Sequence, residues 1–186
     1  MISQSDYIQL KAFARVDGLI LGCIWTIAFA CFIGSMSDAS LQLGFMVGVL
    51  CTPFVLYYML RNFRDKVLDG SISFRRGFAF TAFTGFYASI IIGAATFVYF
   101  QFMDNGKFFG RLLENIKVPE IAQAFRDAGM NPDEIASQMT LLAQMRPVDV
   151  AFSVFFDGTL TAVVLGLLIG LLGRRKRNDL QSVQKT

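Results

Sequence analysis

The feature that most limits what this chain can fold into is the spacing of its charges. No charged side chain occurs from Gly18 to Ser37, from Ala39 to Leu60 or from Gly77 to Met103, and the run Val150–Gly173 contains only Asp157. Each run reaches the roughly 20 apolar residues that a helix needs to cross a hydrocarbon core about 30 Å thick. Strands that cross a membrane show short alternating segments, and these runs do not alternate. The sequence therefore predicts an all-α integral membrane protein with four transmembrane helices, at about 17–36, 40–60, 77–103 and 149–173. A cytoplasmic loop is expected at 61–76, a short helical extracytoplasmic insert at 105–148 and a basic cytoplasmic tail at 174–186.

Composition agrees with this reading. The chain is 54% hydrophobic and 17% charged, against about 45–50% and about 25% for a soluble domain.

Orientation follows from the basic residues, which concentrate in short cytoplasmic loops. One side of the four-span layout collects Lys11, Arg15, the loop cations, Arg174, Arg175, Lys176, Arg177 and Lys185, twelve of the 17 basic residues. The other side holds Lys107, Arg111, Lys117, Arg126 and Arg146, together with seven acids from Asp104 to Asp149. Both termini are thus expected in the cytoplasm of a bacterial inner membrane, with the insert facing outward.

Several chemistries find no support. The three cysteines, Cys23, Cys31 and Cys51, all fall inside spans and read as packing residues. There is no histidine, so the usual zinc and general-base constellations have no anchor. "ILGC" at Ile20–Cys23 faintly resembles a lipoprotein cleavage box, but the apolar run continues past Cys23, and no cleaved signal is expected. No catalytic residue, cofactor, metal site or nucleic-acid partner is expected, and the sequence identifies no small-molecule ligand.

The insert reads as amphipathic helices. Phe108, Phe109, Leu112, Leu113 and Ile116 share one helical stripe. Pro119 opens a second helix that Gly129 closes, and Asn131 caps a third that starts at Pro132. So short a segment buries little core alone, and its apolar faces need the bilayer surface, the span ends or a partner.

The loop "RNFRDKVLDGSISFRRGF" joins spans two and three, with a turn at Asp69-Gly70 and an extended stretch through Ile72 and Phe74. Its cations Arg61, Arg64, Lys66, Arg75 and Arg76 are candidate contacts for anionic headgroups or a docking partner. They serve equally as determinants of topology.

Helices in lipid associate through close backbone contact at small residues. Every span offers such a pair: Gly18 and Gly22, Gly44 and Gly48, Gly85 and Gly93, Gly166 and Gly170. These pairs serve a compact bundle or a homodimer. Pro53 falls inside the second span and should kink it.

Asp157 is the outstanding position. If the fourth helix enters lipid near Val150, the carboxyl lies about 10 Å deep. Burial there favours the neutral acid, and an ionisable group at that depth is by default a functional hypothesis. Thr96, Thr26 and Thr52 fall near the same level and complete a candidate intramembrane polar layer. Three roles are open for Asp157: a polar contact fixing helix register, a bond to another subunit, and a proton- or ion-coupled site.

The layout and two segments, "RNFRDKVLDGSISFRRGFAF" and "AGMNPDEIASQM", resemble the membrane family filed as domain of unknown function 4199, found mainly in Bacteroidetes. The resemblance implies no established activity and no catalytic residues. It also implies a genomic neighbourhood shared with a membrane-associated glycosyltransferase. The expected function is a non-enzymatic accessory or scaffold subunit whose partners are membrane lipids and another membrane protein or itself. The alternative is a small transporter or ion-coupled protein that uses Asp157.

Overall fold

A computed structural model describes residues 4–175. Lys176, Arg177 and Lys185, assigned above to the basic side, lie outside the described residues. Among the described residues seven α-helices follow one another: α1 Gln4–Ser35, α2 Leu41–Val67, α3 Phe74–Val98, α4 Lys107–Ile116, α5 Pro119–Asp127, α6 Pro132–Ala143 and α7 Pro147–Gly173. A wider π-helical turn, Tyr99–Met103, extends α3. Among the described residues four segments are long and apolar enough to cross a membrane: Tyr7–Ser35, Leu41–Val67, Phe74–Met103 and Pro147–Gly173.

The helices overrun the uncharged segments. α1 begins well before residue 17 because Leu10 and Ala14, fully buried like Leu21, continue its packed face. The cations on this added stretch lie against aromatic rings. Lys11 Nζ sits 4.5 Å from the Tyr7 ring centre and 5.2 Å from that of Phe83, and Arg15 Nε donates to Tyr87 Oη at 3.4 Å. α2 runs on through Phe63 and Arg64, both buried. The expected loop 61–76 is therefore shorter, with only residues 68–73 between helices. Asp69 (φ 50°) and Gly70 (φ 77°) make its turn in the left-handed region, where glycine is the natural occupant. The extended stretch shrinks to a single antiparallel bridge between Ile72 and Arg175, with N–H···O bonds of 3.0 Å both ways, and Phe74 already belongs to α3.

The described chain divides into two units. The first comprises the residues up to Ile92 and from Val154 onward. Its core centres on Phe63, which stacks on Phe80 at 4.5 Å between ring centres and meets Phe13 at 5.5 Å. The paired glycines are taken up inside this unit, except Gly93, which belongs to the second. A Cβ on Gly18 or Gly22 of α1 would lie 2.6 Å from Tyr87 or Ile91 of α3. One on Gly48 of α2 would lie 2.5 Å from Ala28 of α1, and one on Gly44 would lie 2.9 Å from Cys31 Sγ. Gly85 of α3 leaves no room for a Cβ beside Ala162 of α7. Gly166 and Gly170 of α7 accommodate Phe78 of α3. Close approach through small residues, the packing device available in lipid, thus recurs along α1–α2, α1–α3 and α3–α7.

The second unit is Gly93–Ser153. Asp104, buried, ends the π-helical turn and starts α4: its Oδ1 accepts from Tyr99 Oη at 3.1 Å and from the Phe108 N–H at 2.8 Å. Phe100 packs against Phe108 and Phe109, at 5.4 and 5.7 Å between ring centres. Gly129 (φ 76°) follows the end of α5, and Asn131 Oδ1 accepts from the Asp133 N–H at 3.0 Å to cap α6. Between α1 and α2, hydrogen bonds from the side chain and backbone of Ser40 hold the Asp38 carboxyl below the usual carboxylate range.

Candidate functional site

The first unit carries an open groove of about 580 Å³ whose walls come from α1, α2 and α7, with Ile92 of α3 at its floor. Trp25, Ala28 and Phe29 line it from α1; Gly48, Val49, Thr52 and Pro53 from α2. From α7 come Val154, Asp157, Gly158, Thr161 and Leu165. Among these residues Asp157 alone is ionisable.

Two features shape the walls. Trp25 Nε1 donates to Thr52 Oγ1 at 3.0 Å, and the Thr52 hydroxyl donates to the Gly48 carbonyl at 3.0 Å. The indole and hydroxyl therefore satisfy each other, pin α1 to α2 and leave no free donor at that wall. One residue further, Pro53 has no N–H to return to the Val49 carbonyl, and the Thr52 hydroxyl goes to Gly48 instead. On the opposite wall Gly158 brings α7 close, since a Cβ there would lie 2.6 Å from Ser89 Oγ and 3.2 Å from Trp25 Cζ3.

Asp157 is exposed on this groove. Among the described residues it has no hydrogen bond or ion pair. A register-fixing contact within the chain, the first role weighed for it, therefore has no partner here. Of the four positions of the candidate polar layer, the groove gathers Asp157 and Thr52. Thr26 turns away and donates to the Gly22 carbonyl of its own helix at 2.8 Å. Thr96 belongs to the second unit, fully buried, with no hydrogen-bond partner for its hydroxyl among the described residues. Sequence reasoning passed over Trp25 and Gly158. The usable signal for the first was its being the one tryptophan of the chain. No periodicity marks the second.

The loop cations separate into different roles. Arg64, expected among the headgroup contacts, is 7% exposed. Its Nη1 donates to the Gly173 carbonyl at 3.0 Å, while Nε and Nη2 donate to the two oxygens of Asp65 at 2.7 and 3.1 Å. The last carbonyls of a helix lack intrahelical donors, and a cation there also meets the negative end of the helix dipole. Arg64 is therefore a cap for α7. Arg76 is half-buried, whereas Arg61, Lys66 and Arg75 are exposed.

A family model described as "Protein of unknown function (DUF4199)" matches residues 17–175. No curated protein and no solved structure matches. The matched region begins inside α1 and ends on the bridge residue Arg175, so it takes in the groove, the Arg64 cap and both units, and the chain belongs to the DUF4199 family.

Proposed function

We propose that this protein is a non-enzymatic accessory or scaffold subunit of a complex in the bacterial inner membrane, with both termini cytoplasmic and the 105–148 segment outside. The observation that carries this reading is Asp157: an acid with no hydrogen-bond or ion-pair partner among the described residues, on an apolar groove, within a span-length helix. A group so placed is costly in lipid, and a partner subunit relieves that cost. The interior of the first unit supports the same reading. Three of its buried hydroxyls, at Thr52, Thr81 and Ser89, donate to carbonyls one turn back in their own helices, which leaves those three poorly suited to relay an ion, while the buried Thr84 hydroxyl has no hydrogen-bond partner among the described residues. Exposed Arg61, Lys66 and Arg75 supply a cytoplasmic surface for anionic headgroups or for the same partner. The family resemblance makes a membrane glycosyltransferase the first partner to try.

The alternative, a small ion-coupled transporter, draws on the same carboxylate. Affinity purification from mild detergent, with co-purifying proteins identified, separates the two. A stoichiometric membrane partner is expected; recovery of the chain alone counts against the accessory reading. Cysteine labelling in intact cells tests the orientation: positions 117 and 174 should react from opposite sides of the membrane.

A further inference from the structure

The groove has a chemistry that narrows what can fill it. Asp157 is the eleventh residue of α7; with the helix entering lipid near Val150, its carboxyl lies about 10 Å inside a hydrocarbon layer about 30 Å thick. The walls around it are apolar, and the Thr52 hydroxyl already donates its hydrogen bond to the Gly48 carbonyl. We infer that this groove seats a transmembrane helix of a different protein, one that carries a lysine or arginine level with Asp157; the inference rests on the accessory-subunit reading above.

Charge complementarity argues for that occupant over the others. A second copy of this chain has no lysine or arginine anywhere from Gly18 to Leu60, from Gly77 to Met103 or from Val150 to Gly173. Self-association would therefore bring an acid against uncharged helices or against another acid. Lipid amines sit at the headgroup level, about 10 Å above Asp157 by the same count, beyond hydrogen-bond reach. A hard cation asks for six or more oxygen ligands, which one carboxylate and two threonines do not provide. A cationic side chain on a neighbouring helix needs only one carboxylate, and removes the charge of both from lipid.

The test uses the full chain in phosphatidylcholine vesicles, with Trp25 as the fluorescence donor, since it lines the groove and the chain has no other tryptophan. The probe is a tryptophan-free, dansyl-labelled, leucine-rich peptide of about 23 residues, with either lysine or leucine at its centre. Energy transfer should show the lysine peptide binding about tenfold more tightly than the leucine peptide, a difference of about 1.4 kcal/mol. Asp157→Asn should abolish that preference. Asp157→Lys should transfer it to a peptide with aspartate at its centre, which keeps the test valid if Asn perturbs packing. Equal binding of the two peptides, or a lysine preference that survives Asp157→Asn, overturns the inference. So does Asp157-dependent energy transfer between labelled copies of the chain, which would make the occupant a second copy. A natural partner whose co-purification is indifferent to Asp157→Asn overturns it too, while leaving the accessory reading intact.

Discussion

Arg64 Nη1 holds the carbonyl oxygen of Gly173 at 3.0 Å, joining residues 109 positions apart. The bond ties the end of α2 to the end of α7. Directly beyond it, the Ile72–Arg175 bridge ties the following turn to the first residues of the tail. One buried cation and one pair of backbone hydrogen bonds thus close the end of the first unit where α2, α3 and α7 meet the basic segments.

Arg64→Ala should be among the more damaging single changes in the first unit. It strips the Gly173 carbonyl of its donor and Asp65 of a two-pronged partner, and an orphaned buried acceptor costs about 1–3 kcal/mol. Arg64→Lys should recover only part of this, because an ammonium cannot reproduce the planar fork. Arg61→Ala, which loses only a 3.5 Å contact from an exposed side chain, should stay within about 0.5 kcal/mol of the native protein. Reversible unfolding in mixed micelles gives the ranking, and equal effects of Arg61→Ala and Arg64→Ala would refute the capping role.

Glycine substitutions should change sign with location. Gly170→Ala sets a Cβ 2.9 Å from the Phe78 nitrogen, a backbone atom that cannot step aside. Overpacking of this kind costs about 1–3 kcal/mol, more than the gain of about 0.5–1 kcal/mol from replacing a helical glycine with alanine. At Gly110 in α4 a Cβ meets nothing within 4 Å, so only the gain remains. Thermal melts in detergent should show Gly170→Ala below the native protein and Gly110→Ala at or above it.

The four helices long and apolar enough to cross a membrane were legible because the length of an uncharged run is what decides that capacity. Their ends were not. Lys11 and Arg15 look like the edge of a span, yet α1 passes through them, since Leu10 and Ala14 keep one face buried while the cations lie along Tyr7 and Tyr87. Asp157 stood out as the lone charge in its run, whereas the groove beside it depends on how α1, α2 and α7 pack, which no single-helix pattern encodes. Arg64 could not be told from its neighbours Arg61 and Lys66 by charge; the α2 face that also buries Leu60 and Phe63 turns it inward.

The Trp25–Thr52 hydrogen bond gives an optical test of the groove wall. Thr52→Val keeps the shape and removes the acceptor, leaving the indole N–H unpaired. Polar contacts between helices in a membrane average about 0.6 kcal/mol, so the stability change should be small. The emission of this single tryptophan should nevertheless shift to shorter wavelength as its nitrogen loses its polar contact. An unchanged spectrum would mean that the bond does not persist in lipid.

The second unit offers a local test that does not involve the spans. α6 starts with Asn131 Oδ1 accepting from the Asp133 N–H at 3.0 Å, and Asn131 Nδ2 donates to Glu134 Oε1 at 3.3 Å. Pro132 follows the cap directly and is buried, so the entry angle is set by its ring as well as by the cap. Asn131→Ala should therefore weaken α6 by about 1 kcal/mol, and Asn131→Gly by only a few tenths. Because α6 has just 12 residues and short helices are marginal by themselves, the loss should appear as local opening rather than global unfolding. Hydrogen exchange read by mass spectrometry should show faster exchange at Asp133, Glu134 and Ile135 in Asn131→Ala, with the amides of α2 unchanged. Acceleration spread evenly over both units would instead show that α6 does not open independently.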